Sequence, residues 1–407
     1  MPSLPELAAL FLIIFTYAGV AVGYVPRLRM NRASIALVGA AGLVAVGALS
    51  ESQALDAIDL GTLILLGAMM VINNNLRISG FFAVVTYRIV GIARTPGLLL
   101  AVIIFASGIL SAIFLNDTIC LMMTPLVLDI TLRLKRQPLP YLIGLATATN
   151  VGSTATITGN PQNIIIGQAS DIPYVSFLLQ LAPVALLGLG VCWLVIRLVF
   201  RSEFRDSLST AGFDFTPPLT HTPLLRRSVG VVLALMIAFL IGLPTVTAAA
   251  VAAGALLISR VRPQKLFTLD WDLLIFFAGL FVVTGAVESM GISERFFELL
   301  APLLNGGLAG FSGATAVLSN LVSNVPAVLL MRGEIAGFAD PQRMWLALAM
   351  ASTLAGNLTL LGSAANLIVA EIADRRGVEL DFITYLRAGA IITVITLAIG
   401  VIWLSIL

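Results

Sequence analysis

Long apolar runs separated by short polar segments extend over the whole of this sequence. Runs of about 17–25 apolar residues recur, which is the length that an α-helix needs to cross a bilayer. The pattern therefore predicts an all-α polytopic membrane protein. The predicted spans of the first half are residues 6–25, 33–49, 58–76, 139–168 and 175–200. Those of the second half are residues 227–243, 245–259, 270–288, 343–371 and 383–407.

Two further apolar stretches, 96–134 and 306–332, each contain a polar break near the middle. The first break is "NDT" (Asn116–Thr118) and the second is "SNVP" (Ser323–Pro326). We predict that each stretch is a re-entrant hairpin, which returns to the side of the membrane from which it entered. Each half of the chain then has five transmembrane helices and one hairpin.

The basic residues support this arrangement. With two hairpins, every Lys and Arg except Arg295, Arg332 and Arg343 falls on one side of the membrane. Because basic loops are retained in the cytoplasm, the polar linker 201–226 is predicted to be cytoplasmic and both termini to lie outside. We expect an integral protein of a bacterial inner membrane, whose first apolar run is a span and not a cleaved signal.

The composition agrees with a membrane protein and excludes several functions. Apolar residues make up 59% of the chain and charged residues 11%, against roughly 25% charged residues in soluble domains. The net charge of +2 does not indicate nucleic-acid binding. An intramembrane enzyme would need a nucleophile with a base, a pair of carboxylates or a histidine cluster. The breaks offer one carboxylate, Asp117, and no histidine, so we expect neither an enzyme nor a cofactor beyond a coupling ion.

The two halves resemble each other around the breaks. "LSAIFLNDTI" (Leu110–Ile119) aligns with "LSNLVSNVPA" (Leu318–Ala327). "TITGNPQNIII" (Thr156–Ile166) aligns with "TLLGSAANLIV" (Thr359–Val369). An odd number of spans in each repeat inverts the second copy, so we predict inverted-topology repeats over 1–200 and 227–407. Secondary transporters share this organisation and bind substrate near the midplane between the repeats.

The spans 139–168 and 343–371 each contain helix-breaking residues, "GNPQN" from Gly159 and "GSAAN" from Gly362. Irregular backbone at membrane depth is tolerated only where protein buries it or where it lines a cavity. Each span is therefore predicted to be a discontinuous helix. Asn160 is a favourable N-cap for the second half-helix, whose positive end would point to the protein centre.

These motifs resemble those of the ion-transporter superfamily. That group joins divalent-anion/sodium symporters, arsenite permeases and some sodium/proton antiporters, which share a citrate-transporter-like domain. The hairpin tip Asn116-Asp117-Thr118 is similar to the arsenite-permease branch in its Asn-Asp pair. "SNVPAVLL" (Ser323–Leu330) and "LGSAANLIVAE" (Leu361–Glu371) are similar to the second-half motifs of the arsenite and anion permeases, and "GNPQN" is most similar to uncharacterised anion permeases.

The resemblance implies binding sites at the tips and breaks. One cation site, for sodium or for a proton on Asp117, would use Asn116, Asp117 and Gly159, and its mirror site would use Ser323, Asn324 and Gly362. The implied substrate contacts are Thr118, Asn160, Asn163, Ser363 and Asn366. Asn150, Thr154 and Thr156, which precede the first break, are further candidates, with close helix packing as the alternative. The same amides could instead satisfy the broken backbone. Homodimerisation is also implied by the family.

Two transport activities remain open. No Lys or Arg is expected at the depth of the breaks, so an anion would be held by helix N-termini, amides, hydroxyls and a co-bound cation. Asp117 would complete the cation site of such a cation-coupled anion transporter, because an intramembrane acid is functional by default. The alternative is efflux of arsenite, or of sodium, against protons bound by Asp117. A passive channel would differ from both because it would not concentrate its substrate.

Overall fold

A computed structural model describes residues 4–23, 30–205, 219–258, 269–304 and 306–407. These residues form α-helices and short 3₁₀ turns, and no strand occurs among them. The helices of the first half are α1 (Leu4–Val22), α2 (Arg32–Ala45), α3 (Glu51–Asp56), α4 (Leu60–Ser79), α5 (Phe81–Ile92), α6 (Pro96–Ile113), α7 (Asn116–Arg133), α8 (Pro138–Ser153), α9 (Pro161–Ala169) and α10 (Tyr174–Val199). Those of the second half are α11 (Thr222–Leu240), α12 (Thr245–Leu257), α13 (Trp271–Ser289), α14 (Ile292–Leu304), α15 (Gly307–Val322), α16 (Asn324–Met331), α17 (Pro341–Ala355), α18 (Ala364–Asp374) and α19 (Phe382–Ile406).

The all-α prediction is confirmed, and the helices that could span a membrane coincide with predicted spans or with the first hairpin. By length and composition, seven of the described helices could cross a bilayer: α1, α4, α6, α10, α11, α13 and α19. The predicted spans 33–49 and 245–259 are helical over shorter ranges than expected. Helix α2 ends early because Gly47 takes a left-handed conformation with φ of 77°, which closes the last turn. The linker residues 206–218 and the basic residues Arg27, Arg29, Arg260, Arg262 and Lys265 lie outside the described residues.

Helical structure is interrupted at or next to all four predicted breaks. Two residues separate α6 from α7, and one residue, Ser323, separates α15 from α16. A non-helical segment separates α8 from α9, and another that includes the 3₁₀ turn Leu360–Gly362 separates α17 from α18. In the first hairpin the interruption lies before the predicted polar residues, since Asn116 is the first residue of α7, and in the second it includes only Ser323, since Asn324 is the first residue of α16. The re-entrant path of the hairpins and the inverted topology of the repeats stay predictions.

The two halves pack in reciprocal pairs. Helix α6 lies against α8, and α15 lies against α17. Across the halves, α2 contacts α13 while α12 contacts α4, and α7 contacts α18 while α16 contacts α9. Nearly the whole of α8 and α17 is buried. This packing brings the four breaks together in the interior of the molecule.

Candidate functional site

The first hairpin tip lies directly beside the first helix break. The backbone N–H of Asn116, at the start of α7, donates to the carbonyl of Gly159 at 2.9 Å. Asn160 caps α9 as predicted, because its Oδ1 accepts from the N–H of Asn163 at 2.8 Å. Pro161 then occupies the first helical position, where its missing N–H leaves no bond unmade.

Asn150 of α8 joins the breaks of both halves. Its Nδ2 donates to Asn357 Oδ1 at 2.9 Å and to Asn366 Oδ1 at 3.1 Å. Its Oδ1 accepts from Asn116 Nδ2 and from Ser363 Oγ, each at 3.1 Å. The amide of Asn150 thereby makes four hydrogen bonds, which is the full capacity of its two donors and two lone pairs.

Asn163 and Asn366, which the sequence alignment pairs, bind the broken backbone in the same way. Asn163 Nδ2 donates to the carbonyls of Ser153 at 3.1 Å and Thr156 at 2.9 Å. Asn366 Nδ2 donates to the carbonyls of Gly356 at 2.8 Å and Thr359 at 3.1 Å. The carbonyls of Ser153 and Gly356 lie at the ends of α8 and α17, where a helix leaves its last carbonyls without intrahelical partners. Those of Thr156 and Thr359 lie in the non-helical segments and also accept from the N–H groups of Gly159 and Gly362.

The remaining predicted residues near the first break also contact protein atoms. Asn160 Nδ2 donates to Ser153 Oγ at 2.9 Å, Thr154 Oγ1 donates to the carbonyl of Asn150 at 3.3 Å, and Thr156 Oγ1 donates to the carbonyl of Ala112. Gly159 is tightly enclosed, since a Cβ there would lie 2.3 Å from the carbonyl oxygen of Ser153. The predicted substrate residues of this group are therefore buried within the protein. Gly362 is similarly enclosed and buried.

A polar cavity of about 390 Å³ lies between the two halves. Six helix N-termini meet at its wall, and each carries the partial positive charge of its helix dipole. The contributing residues are Asn31, Arg32 and Ala33 of α2, Asn116 and Asp117 of α7, Pro161 and Gln162 of α9, Asp270 and Asp272 of α13, Ser323, Asn324 and Val325 of α16, and Ser363 and Ala364 of α18. The cavity thus contains the predicted site residues Asn116, Asp117, Ser323, Asn324 and Ser363.

Four charged residues line this cavity: Asp117, Arg32, Asp270 and Asp272. Asp270 Oδ1 accepts from the N–H of Leu273 at 3.1 Å, and Asp272 Oδ2 accepts from Asn31 Nδ2 at 2.9 Å. Among the described residues, the side chains of Arg32 and Asp117 form no hydrogen bond or ion pair.

The expectation that no basic residue lies near the breaks is wrong at Arg32. In the sequence, Arg32 counts only as one of the basic residues that set the orientation. Asp270 and Gln162 were also not predicted as cavity residues. Their position directly at a helix start, next to a span, is the one signal that could have identified them.

Two carboxamide oxygens at the cavity lack a donor. In the described part of the chain, nothing donates to Asn116 Oδ1 or to Asn324 Oδ1, both of which are buried atoms. The sequence alignment pairs these two residues. An unpaired buried carbonyl oxygen is costly, and both oxygens have the chemistry to accept from a ligand hydroxyl or to coordinate a hard cation.

A second cavity, of about 410 Å³, adjoins the first along Asp117, Pro161 and Asp270. Thr118 lines this second cavity and accepts at Oγ1 from Asn73 Nδ2 at 3.2 Å. Asn73 belongs to the run "INNNLR" of α4, which sequence reasoning did not select. Its three successive amides within an apolar helix were a usable signal.

The described ranges contain both cysteines of the chain, whose thiols are potential ligands for transition metals. No group of three or more His, Cys, Asp and Glu side chains capable of holding a metal ion occurs there. Cys120 and Cys192 are buried and free, and Cys120 Sγ lies 3.0 Å from Thr149 Oγ1.

Residues 10–355 match the family described as citrate transporter. This chain belongs to the citrate transporter family. It is similar to the silicon efflux transporter LSI3 of Oryza sativa subsp. japonica, at 30% identity over 93% of each chain. It is also similar to the putative transporter arsB of Dictyostelium discoideum, at 25% identity over 92% of this chain and 87% of the relative.

The fold is similar to that of the YdaH transporter of Alcanivorax borkumensis, with a TM-score of 0.54 and 17% identity over 99% of this chain and 97% of that one. The superfamily identified from the sequence motifs is thereby confirmed. The protein is an integral membrane permease for an anion or ion, as its transporter relatives indicate.

Proposed function

We propose that this protein is a secondary active transporter that moves a small anion across the membrane, coupled to sodium or protons by alternating access. The observation that supports it best is the meeting of six helix N-termini at one polar cavity between the two halves. Each N-terminus contributes roughly half a positive charge and free N–H groups, which is a common way to bind an anion. Transporters with interrupted helices use the same device.

The coupling ion would bind beside the anion, at the hairpin tips. Asp117 and the unpaired oxygen of Asn116 offer oxygen ligands next to the carbonyl of Gly159. Ser323, Asn324 and the backbone at Gly362 form the corresponding set in the second half. A carboxylate and carboxamide oxygens fit a hard cation such as sodium, and Asp117 alone could bind a proton in its place.

The predicted substrate residues would then divide into two groups. Thr118 and Ser363 reach a cavity wall and would contact the substrate directly. The other six would fix the helix breaks, because they line neither of these two cavities and their polar groups bind protein atoms. These residues are Asn150, Asn160, Asn163, Asn366, Thr154 and Thr156. Alternating access would move the hairpins and broken helices against the remaining helices, and dimerisation through the latter remains a family expectation.

Efflux of a neutral hydroxylated solute, or sodium/proton antiport, is the second candidate function. Asn116 Oδ1 and Asn324 Oδ1 have no donor among the described residues and would accept hydrogen bonds from solute hydroxyls. Arsenous and silicic acids are such solutes near neutral pH, and the names of the relatives LSI3 and arsB agree with this class. Protons carried by Asp117 would drive the export.

Flux measurements on purified protein in liposomes separate these functions. Tracer uptake and currents would be recorded for dicarboxylates, citrate, sulfate, phosphate and arsenite, under a sodium gradient and separately under a proton gradient. We expect an anion to accumulate under at least one gradient. Movement of arsenite, or of sodium alone, against protons would instead establish the efflux function. Flux that equilibrates but never concentrates its substrate would establish a channel.

A further inference from the structure

Arg32 has the environment of a ligand-binding residue. Its partly buried side chain lines the cavity between the halves, and it forms no ion pair or hydrogen bond with any described residue. A guanidinium that only fixed orientation would extend into water or lipid headgroups. The planar fork of donors of a guanidinium matches the two oxygens of a carboxylate or another oxyanion.

The charged side chains that line the two cavities differ in whether they have a hydrogen-bond partner. Arg77 donates through Nε and Nη2 to Asn74 Oδ1 at 3.1 and 2.6 Å. Asp270 caps α13 and Asp272 binds Asn31. Within the described ranges, Arg32 and Asp117 are the charged cavity residues whose side chains have no such contact. They share one cavity wall and lie apart from each other, which leaves space for a ligand in the cavity they both line.

We propose that Arg32 binds the anionic group of the substrate. The inference rests on the proposed anion transport and names the chemical class that its site selects, a carboxylate or a comparable oxyanion. The positive ends of the helices that start at the same cavity wall favour the same anion.

Equilibrium binding tests this assignment on purified full-length protein. The probe is whichever radiolabelled anion the wild type accumulates in liposomes, among citrate, succinate, sulfate and phosphate. The variants are R32Q and R32K. R375Q is the matched control, because Arg375 is 73% exposed and pairs with Glu371 away from both cavities. Thermal unfolding verifies that each variant is folded.

R32Q should weaken binding by about tenfold or more, the usual loss for a charge-assisted pair. R32K keeps the positive charge but loses the planar fork of donors, so it should bind more weakly than the wild type and more tightly than R32Q. R375Q should behave as wild type.

Several outcomes would overturn the proposal. Unchanged affinity in R32Q, with anion transport intact in the wild type, would remove Arg32 from the site and leave the proposed function standing. A wild type that accumulates no anion would contradict both the proposed anion transport and the role of Arg32. If R32Q does not fold, R32K still decides, because wild-type affinity in R32K would exclude recognition of the anion by the guanidinium fork.

Discussion

At the scale of single residues, two kinds of buried polar side chain have different roles. Asn150, Asn163 and Asn366 direct their amides to protein atoms and hold interrupted backbone in place. Asp117 lines both cavities and has no hydrogen bond from the described residues. A polar group that is already satisfied supports structure, whereas an acid left unpaired in an apolar protein implies a ligand.

Asn150→Ala should destabilise the protein strongly. It leaves Asn357, Asn366, Asn116 and Ser363 each without one buried partner, so we expect a loss of about 2–4 kcal/mol. Thermal unfolding in detergent measures the effect. Gln168→Ala is the control, since it removes one partly buried bond to Thr245 Oγ1. Equal shifts in the two variants would mean that the Asn150 network does not stabilise the breaks.

Asp117→Asn should abolish proton-driven transport and retain sodium-driven transport. Asn cannot carry a proton on its side chain, but its carboxamide oxygen can still coordinate sodium. The comparison is initial tracer uptake into liposomes under a proton gradient and under a sodium gradient, with wild type measured in parallel. Full proton-driven uptake by the variant would mean that Asp117 only stabilises the start of α7 and takes no part in coupling.

At the scale of elements, the helix breaks depend on backbone that approaches other backbone very closely. Gly159 lies against the end of α8, and Gly152 within α8 lies against Gly108 of α6, where an added Cβ would be 2.1 Å from the Gly108 carbonyl oxygen. Only glycine permits such distances. The breaks are therefore rigid features of the packing, held by sterics as well as by the amide hydrogen bonds.

Gly159→Ala should lower the unfolding temperature and reduce transport by at least tenfold. Its Cβ would lie 2.3 Å from the Ser153 carbonyl oxygen and would displace the segment to which Asn116 is hydrogen-bonded. Gly190→Ala in α10 is the matched control, because nothing lies within 4 Å of its Cβ position. There, alanine should be neutral or stabilising by up to about 1 kcal/mol. A G159A protein with wild-type stability and flux would show that the break can relax.

At the scale of the whole molecule, the reciprocal packing of the halves creates the cavity. Helices α2 and α13 from different halves lie side by side, and their N-termini meet those of α7, α9, α16 and α18. Exposed residues at the starts of α2 and α13, such as Asn31 and Asp272, connect the cavity to the surface. By the predicted orientation, that surface is cytoplasmic.

Cysteine labelling tests this orientation. Ala364→Cys places a thiol at the wall of both cavities, and Ser52→Cys places one on exposed α3, predicted to lie outside. Native Cys120 and Cys192 are buried, so background labelling should be low. A membrane-impermeant maleimide should label A364C at least fivefold faster in inside-out than in right-side-out vesicles, and S52C in the opposite order. The reverse pattern would invert the predicted topology.

Much of the fold and part of the site could be predicted from local sequence. Apolar run lengths located the spans, and Asn, Gly and Pro within apolar context located the breaks, because these residues act through nearby backbone. Of the predicted site, Asn116, Asp117, Ser323, Asn324 and Ser363 reach the first cavity and Thr118 reaches the second. The sequence did not distinguish Asn150 and Asn163 from these residues. An asparagine reads the same in a sequence whether its side chain contacts a ligand or a backbone carbonyl.

The sequence by itself determined an all-helical membrane protein, its interrupted helices and its family. Those properties follow from hydrophobic length and from residues that break helices locally. The tertiary structure alone decided which polar groups are satisfied and which are left to a ligand. It brought Arg32 and Asp270 to Asp117, because α2 and α13 come from opposite halves and meet only through packing. Charge attraction and hydrogen bonding act over a few ångströms in space. The number of residues between two positions in the sequence does not tell whether they come that close.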